Sequence, residues 1–356
     1  MSKPKRRPPD LSKEPVKINK TTPTGKQQPR TKPRASWPIV TGLVVVILGL
    51  VLGGLWLTNS KTEVKPSTTV KVNPPKPVGN VDCEEIPKFV QDLNMSQRSA
   101  FSTSERGVKG LVLVQQSATT NGPNQIYQKP SWTSAGNLAP LQFGKGGTLF
   151  VAPAPSINVL DNPVNQQNQV YRVDNNTGEM ARFVALPQAA PANPENPFGV
   201  LGLGYDCETD KLYVASVAGS SRDHEVGRLY EVDATKATVL SQSDNLDVLG
   251  LAVFNSAKGK RLYYGLARWP EVWSIALDAN GSFQGQPRLE VSLANLGSRG
   301  SDKARKIEFT TSNQMVVHGI EFSFNLIAPT EKQETNYSFN YDATADKWTL
   351  QPNQQS

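Results

Sequence analysis

The stretch Thr148-Leu-Phe-Val-Ala152 is the first of four similar segments in a chain of 356 residues. Its counterparts are Lys211-Leu-Tyr-Val-Ala215, Arg261-Leu-Tyr-Tyr-Gly265 and Gln314-Met-Val-Val-His318. Each segment is short, apolar and rich in β-branched or aromatic residues, which is typical of a β-strand. Recurrence at intervals of about 50 to 60 residues predicts a repeated unit built from strands.

Two further strands accompany each segment. A second apolar strand follows it and ends in Asp: Val170-Tyr-Arg-Val-Asp174, Leu229-Tyr-Glu-Val-Asp233, Val272-Trp-Ser-Ile-Ala-Leu-Asp278 and Tyr337-Ser-Phe-Asn-Tyr-Asp342. A short strand precedes it, with Phe143, Tyr205, Phe254 and Phe309 at equivalent positions. An earlier, degraded copy without the Asp consists of Arg98-Ser-Ala-Phe101, Gly110-Leu-Val-Leu-Val114 and Gln125-Ile-Tyr127.

A four-stranded unit of this length is typical of a propeller blade, whose faces are covered by neighbouring blades. The pattern L-Y-V, followed by V-D and a turn, resembles the β-propeller superfamily with YVTN or NHL-type blades, over residues 84–352. The resemblance implies an all-β propeller of five or six four-stranded blades. It implies no particular activity, because propellers serve unrelated functions.

The Asp that ends the second strand has two interpretations. Asp174, Asp233 and Asp278 each begin a turn in which a carboxylate can accept backbone N–H groups two residues on, as in an Asx-turn. The alternative is a metal ligand. Since the aspartates occur once per blade and would lie at the rim, they could not converge on one ion, and we favour the structural interpretation.

An uncharged apolar run, Ile39 to Leu57, predicts a membrane anchor. Its 19 residues match a hydrocarbon core of roughly 30 Å, and Trp37 and Trp56 lie at its ends, where indoles favour the headgroup region. The run is longer than a signal-peptide core and no small-x-small cleavage pattern follows. We expect an uncleaved single-pass signal anchor at residues 38–57, with a cleaved signal peptide as the alternative.

Charge predicts the orientation of this span. Residues 1–37 carry eleven Lys and Arg against two acids, so the positive-inside rule places the N-terminus in the cytoplasm. We expect a disordered basic arm at 1–37 that attracts anionic lipid, a Pro/Lys/Thr-rich spacer at 58–82, and a propeller ectodomain at 83–352. That domain would be periplasmic or extracellular, with a thylakoid lumen as a further option.

The formal net charge of +7 does not indicate a nucleic-acid partner. Residues 83–356 carry 23 bases and 27 acids, so the excess of positive charge belongs to the arm and spacer. The only two cysteines, Cys83 and Cys207, both lie in the predicted ectodomain. An oxidising compartment permits a disulfide between them, and two separate buried thiols are the alternative.

No catalytic signature of the HExxH, GxSxG, P-loop or dinucleotide-binding type occurs in the chain. Of the two histidines, His318 ends an apolar strand, which favours a hydrogen-bonded core or channel residue, and His224 lies in a polar loop. The longest connections, 154–168, 187–198, 217–226 and 294–305, belong to loop classes that share one propeller face. This loop face is the predicted binding surface. Its candidate residues are Arg222, Asp223, His224, Arg268, Trp269, Arg299, Lys303 and Arg305.

The sequence therefore favours a non-enzymatic binding or scaffolding module without a cofactor. Its partner would be a protein or an envelope polymer, and it would serve as an accessory or assembly factor for an envelope or membrane complex. The alternative is a metal-dependent hydrolase that uses inner-strand residues Asp206, Asn255 and Glu308 around the central channel.

Gly49 and Gly53 form a GxxxG pattern within the apolar run. Small residues let two membrane helices approach closely, so the pattern predicts a homodimer through the span. The alternative is that glycine is simply common in membrane helices.

Overall fold

The computed structural model describes residues 77–81, 83–95, 99–117, 124–156, 159–191, 193–326 and 333–352. They form a β-propeller of five antiparallel blades, which confirms the predicted fold and sets the blade number. Within each blade the strands pair in chain order.

Blade 1 has three strands: β2 (Ser99–Ser102), β3 (Val112–Gln115) and β4 (Gln125–Tyr127). Blade 2 contains β5 (Leu138–Phe143), β6 (Leu149–Pro153), β7 (Gln169–Val173) and β8 (Met180–Ala185). Blade 3 contains β9 (Val200–Asp206), β10 (Lys211–Ser216), β11 (Arg228–Asp233) and β12 (Thr238–Asp244). Blade 4 contains β13 (Val248–Ser256), β14 (Gly259–Leu266), β15 (Glu271–Leu277) and β16 (Phe283–Ser292). Blade 5 contains β17 (Lys303–Phe309), β18 (Gln314–Ile320), β19 (Glu334–Asp342) and β20 (Lys347–Leu350).

The repeated apolar segments are the second strands of their blades, and both faces of each such strand lie between blades. In β10, Leu212 and Val214 pack in the cluster shared with blade 2, whereas Tyr213 and Ala215 pack in the cluster shared with blade 4. Side chains alternate between the two faces of a strand, so a strand covered on both sides is apolar at every position. This explains why the segment is a continuous apolar run.

Four apolar clusters fill the four contacts between consecutive blades, from blades 1 and 2 to blades 4 and 5. Among the described residues, no such cluster joins blade 5 to blade 1. The face of blade 5 directed away from blade 4 carries Glu308 and Glu334, which are 45% and 41% exposed. On blade 1, Ile126 is 49% exposed. The described residues therefore bury less apolar surface between the first and last blades than between consecutive blades.

The segment before blade 1 crosses the lower face, defined here as the face that carries the turns after the inner strands. We call residues 77–95 the basal strap. Its strand β1 (Gly79–Asn80) pairs with inner strand β13, and Asn80 Nδ2 donates to Phe309 O at the end of inner strand β17. Its helix α1 (Lys88–Asp92) packs Phe89 against Trp132, with ring centroids 5.9 Å apart. The strap thus contacts blades at both ends of the chain order.

A disulfide joins Cys83 of the basal strap to Cys207, directly after inner strand β9, with 5.8 Å between the Cα atoms. This is the pairing that the sequence favoured. Gly79 and Asn80, which lie within the predicted spacer at 58–82, add a short strand to blade 4. Backbone pairing of this kind leaves no side-chain pattern to read in the sequence.

The predicted arm, the span at 38–57 and its Gly49 and Gly53 lie outside the described residues. Within the described ranges, no helix is long and apolar enough to cross a membrane. The anchor and its dimerisation stay predictions.

The structure confirms the Asx-turn interpretation of the aspartates that follow the second apolar segment of each repeat, which is the third strand of its blade. Asp174 Oδ1 accepts hydrogen bonds from the backbone N–H groups of Asn176 and Thr177 at 3.0 and 2.8 Å. Asp233 and Asp278 accept equivalent bonds. Backbone bonding lowers the pKa of Asp174 below its usual value, because the bonds favour the charged carboxylate.

Candidate functional site

The upper face is formed by the loops between second and third strands and by the connections between blades. Near this face each inner strand of blades 2 to 5 contains one extra residue that interrupts its pairing. In blade 3 this residue is Leu201, and in blade 5 it is Arg305. Such bulges re-aim side chains at strand ends. They recur around the mouth of the central channel.

An apolar cluster lies at this mouth. Its buried members are Phe198, Val217, Leu249, Ala267 and Phe324, with Leu201, Phe322 and Leu326 partly exposed around them. The rings of Phe198 and Phe322 have centroids 5.8 Å apart. Phe198 precedes blade 3 and Phe322 belongs to blade 5, which are not consecutive blades, so this contact lies across the channel mouth. We call these eight residues the upper aromatic cluster.

Trp269 and its neighbour Arg268 extend this surface from blade 4. The indole of Trp269 is 62% exposed. Arg268 is held rigidly: Nε donates to Asp247 Oδ2 at 2.8 Å, and Nη2 donates to the carbonyl oxygen of Ser221 at 2.7 Å. Its guanidinium also lies 4.9 Å from the ring centroid of Phe324. The sequence placed Arg268 among exposed binding residues, but its hydrogen-bonding capacity is used within the protein.

Of the other predicted binding residues, three are exposed, one is bonded within the protein and two lie in a strand. Arg222, Asp223 and His224 are exposed in the loop between β10 and β11. Arg299 donates two hydrogen bonds to Asp302 and one to Thr335 Oγ1, so these donors are used within the protein. The sequence placed Lys303 and Arg305 in a loop at 294–305, whereas the structure places both in inner strand β17. The apolar character of neighbouring Ala304 and Ile307 is the signal for that strand.

Two of the three residues of the alternative metal site are engaged by cations within the protein. Asp206 is wholly buried and accepts from the Lys260 ammonium, whereas Glu308 contacts His318 and Lys306. Asn255 lies beside Lys260 in the pairing of β13 with β14. Within the described ranges, no group of three His, Cys, Asp or Glu side chains could hold a metal ion.

His318 is bound on both ring nitrogens. Nε2 lies 2.9 Å from Glu308 Oε2 and Nδ1 lies 2.7 Å from Glu334 Oε1, which links three adjacent strands of blade 5. Hydrogen bonds that the imidazole donates to the two carboxylates raise the pKa of His318, with the bond to Glu308 the largest cause. The same bond lowers the pKa of Glu308 to about 2. This places a Glu–His–Glu row on the face of blade 5 directed away from blade 4, where the bonds favour the charged imidazole.

Comparison with known proteins finds distant similarity among solved structures and no family. No protein-family model matches the chain, and no curated protein matches it by sequence. A solved luciferin-regenerating enzyme is 8% identical with a TM-score of 0.41, over 67% of this chain and 75% of that chain. The Cps50 (Swd1) β-propeller domain of Myceliophteria thermophila is 11% identical with a TM-score of 0.40, over 71% and 68%. A PQQ-bound aldose sugar dehydrogenase from Streptomyces coelicolor is 12% identical with a TM-score of 0.38, over 72% and 81%. None of them assigns an activity to this chain.

Sequence reasoning missed the upper aromatic cluster. The available signal was the occurrence of Phe198, Phe322 and Phe324 in connections between strands, where large apolar side chains have no core to fill unless they pack with one another.

Proposed function

We propose that this protein is a membrane-anchored, extracytoplasmic β-propeller that binds a protein partner through its upper face, as a scaffold or assembly factor for an envelope or membrane complex. The apolar run at 38–57 supports the anchor, and the positive charge of residues 1–37 supports a cytoplasmic N-terminus. The observation that carries the binding role is the upper aromatic cluster together with Trp269.

An exposed indole on a face that also carries partly exposed apolar side chains is typical of an interface centre. Trp269 is 62% exposed and follows Arg268, whose guanidinium is fixed by bonds to Asp247 and Ser221. A side chain on such a support loses little freedom when a partner binds, which favours affinity. Phe322 and Leu326 offer further apolar contact area nearby.

Photocrosslinking tests the binding role. A photoreactive residue at position 269 of the full chain, expressed in its own membrane, should yield a defined crosslinked partner that mass spectrometry identifies. Trp269→Ala should then weaken the affinity of the purified full chain for that partner about 30-fold, the loss expected at an interface hot spot of about 2 kcal/mol.

Leu240 is the matched control, because it is 46% exposed on outer strand β12, away from the upper face. Leu240→Ala should leave the affinity unchanged. Equal losses for the two variants, or crosslinks from position 240 but not from 269, would contradict the proposal.

Protease accessibility tests the anchor separately. Protease added to right-side-out vesicles or spheroplasts should digest residues 83–352 and leave the arm at 1–37 protected. Release of the intact chain by alkaline carbonate would rule out the anchor.

A further inference from the structure

A cleft of about 260 Å³ lies on the lower face between blades 2 and 3. Its polar lining residues are Lys145, Thr148, Arg172, Tyr205, Asp210 and Thr235, with Phe150 at its base. The cleft is on the opposite face from the upper aromatic cluster and shares no residue with it. Its properties are therefore independent of the proposed protein-binding role.

Positive charge exceeds negative charge in this cleft. Arg172 is exposed and has no salt-bridge partner among the described residues, although its charge acts on the neighbouring Asp174. Its guanidinium lies 5.4 Å from the ring centroid of Phe183. Lys145 Nζ lies 4.0 Å from Asp210 Oδ2, at the outer limit of an ion pair. Asp210 Oδ1 already accepts a hydrogen bond from the Tyr205 hydroxyl at 2.6 Å. Two cations thus line the cleft with a single carboxylate, which also accepts a hydrogen bond from Tyr205.

The repeat shows what neutralises a cation near this position in other blades. In blade 3, Lys211 stands where blade 2 has Thr148, and its Nζ lies 2.9 Å from Oε1 of Glu231, which is 1% exposed. Glu231 of blade 3 occupies the position that Arg172 has in blade 2. Glu231 pairs with Tyr213, and Arg172 pairs with Phe150, which is the residue of blade 2 equivalent to Tyr213. Blade 3 therefore supplies its own buried counter-charge.

Blade 4 supplies a carboxylate in another way. Arg261 Nε lies 3.6 Å from Oε1 of Glu290, which is 2% exposed and is the extra residue in outer strand β16. The extra residue at the corresponding point of outer strand β8 in blade 2 is Phe183. Blade 2 therefore has a cation at the position of Glu231 and an aromatic ring at the position of Glu290. Blade 2 thus has no counterpart of the carboxylates of Glu231 in blade 3 and Glu290 in blade 4.

We propose that this cleft binds a phosphate group, which supplies the missing negative charge. The planar guanidinium of Arg172 presents paired N–H donors that match two phosphate oxygens, and Lys145 adds a mobile ammonium. The hydroxyls of Thr148 and Thr235 line the same cleft and are further donors. The phosphate would come from a small soluble phosphate or from a phospholipid headgroup.

Calorimetric titration of the full chain in uncharged detergent with inorganic phosphate, at constant ionic strength, tests the site. Saturable binding is expected, with at least a tenfold loss of affinity in Arg172→Gln. Arg182→Gln is the matched control, because Arg182 is exposed on the adjacent strand β8 but does not line the cleft. It should bind phosphate as the unmodified chain does.

Absence of saturable binding, or equal losses in the two variants, would overturn the proposal. An unchanged melting temperature of Arg172→Gln without phosphate shows that the variant is folded. If that variant does not fold, Lys145→Gln provides the same comparison, because Lys145 is 64% exposed in a turn.

Two further ligands distinguish the source of the phosphate, and binding of either supports the site. Glycerophosphoglycerol carries the phosphodiester of a lipid headgroup, and glycerol phosphate carries a soluble monoester. Tighter binding of the diester would indicate a lipid headgroup, and tighter binding of the monoester a soluble phosphate. A protein that binds phosphate but fails the Trp269 test would retain this site while losing the proposed protein-binding role.

Discussion

The ammonium of Lys260 lies 2.7 Å from both carboxylate oxygens of Asp206, and the two side chains are 6% and 0% exposed. The carboxylate also accepts from the Thr209 hydroxyl at 2.7 Å and from the backbone N–H of Glu208 at 3.1 Å. Burying two charges costs several kcal/mol per ion, which their attraction and these added bonds offset only while both partners remain. The pair therefore ties β14 of blade 4 to the end of inner strand β9.

Lys260→Met should lower the free energy of unfolding by about 3 to 5 kcal/mol, because it leaves the Asp206 carboxylate buried without a counter-charge. Denaturant unfolding of the full chain in detergent measures the loss. Lys236→Met is the control, since Lys236 is 76% exposed beside Asp233 and its removal should cost no more than about 0.5 kcal/mol. Equal costs would contradict burial of the Lys260 pair. Adding Asp206→Asn to Lys260→Met should recover part of the loss.

The basal strap makes a second prediction. Replacing both Cys83 and Cys207 by Ser should lower the free energy of unfolding by up to about 5 kcal/mol, the chain-entropy value for a closed loop spanning a sequence separation of 124. The loss should be large because no apolar cluster among the described residues joins blade 5 to blade 1, so the strap contributes to holding the ring together. Non-reducing peptide mapping checks the pairing. Equal stability of the variant and the parent chain would refute this role.

Much of the fold could be predicted from the sequence, for a physical reason. Strands such as β10 are buried on both faces, so Leu212 to Ala215 form an unbroken apolar run that no solvent-facing strand would show. The turn after β11 is similarly local, because Asp233 bonds the backbone of Thr235 and Lys236 only two and three residues on. Such patterns involve residues that are close in sequence, so they can be recognised without knowing which distant residues they contact.

The candidate site was less predictable because its contacts are distant in sequence. Arg268 reads as an exposed cation, but its partner Asp247 lies 21 residues away. Phe198 and Phe322 meet only because the ring brings blades 3 and 5 together. The extra residues Leu201 and Arg305 likewise depend on strand register, which the alternation of side chains alone does not reveal.

Close contact between strands of neighbouring blades gives a third prediction. A Cβ at Gly265 would lie 2.2 Å from the carbonyl oxygen of Ala304 in blade 5, which forces blades 4 and 5 apart. Gly265→Ala should therefore cost about 3 kcal/mol of unfolding free energy. At Gly204 the nearest atom, Leu251 Cβ, is 3.1 Å away, so Gly204→Ala should cost less than about 1 kcal/mol. Denaturant unfolding compares the two, and a reversed order would contradict the packing of these blades.

The row formed by Glu308, His318 and Glu334 gives the last prediction. The pKa of His318 is raised above 6.5, so its contribution to stability is complete below that pH and is lost as pH rises through the folded-state value. The pKa of Glu308 is lowered from 4.5 to about 2, so its contribution is complete above pH 4.5 and is lost as pH falls towards 2. His318→Gln should therefore lower the free energy of unfolding most between pH 4.5 and 6.5, and less at pH 9 or pH 2.

Because both carboxylates are more than a third exposed, the maximum loss of unfolding free energy should be about 1 kcal/mol. Unfolding curves across this pH range measure it, with His224→Gln in an exposed loop as the control that should show no cost at any pH. A cost for His318→Gln that stays constant with pH would mean that the imidazole acts through packing alone.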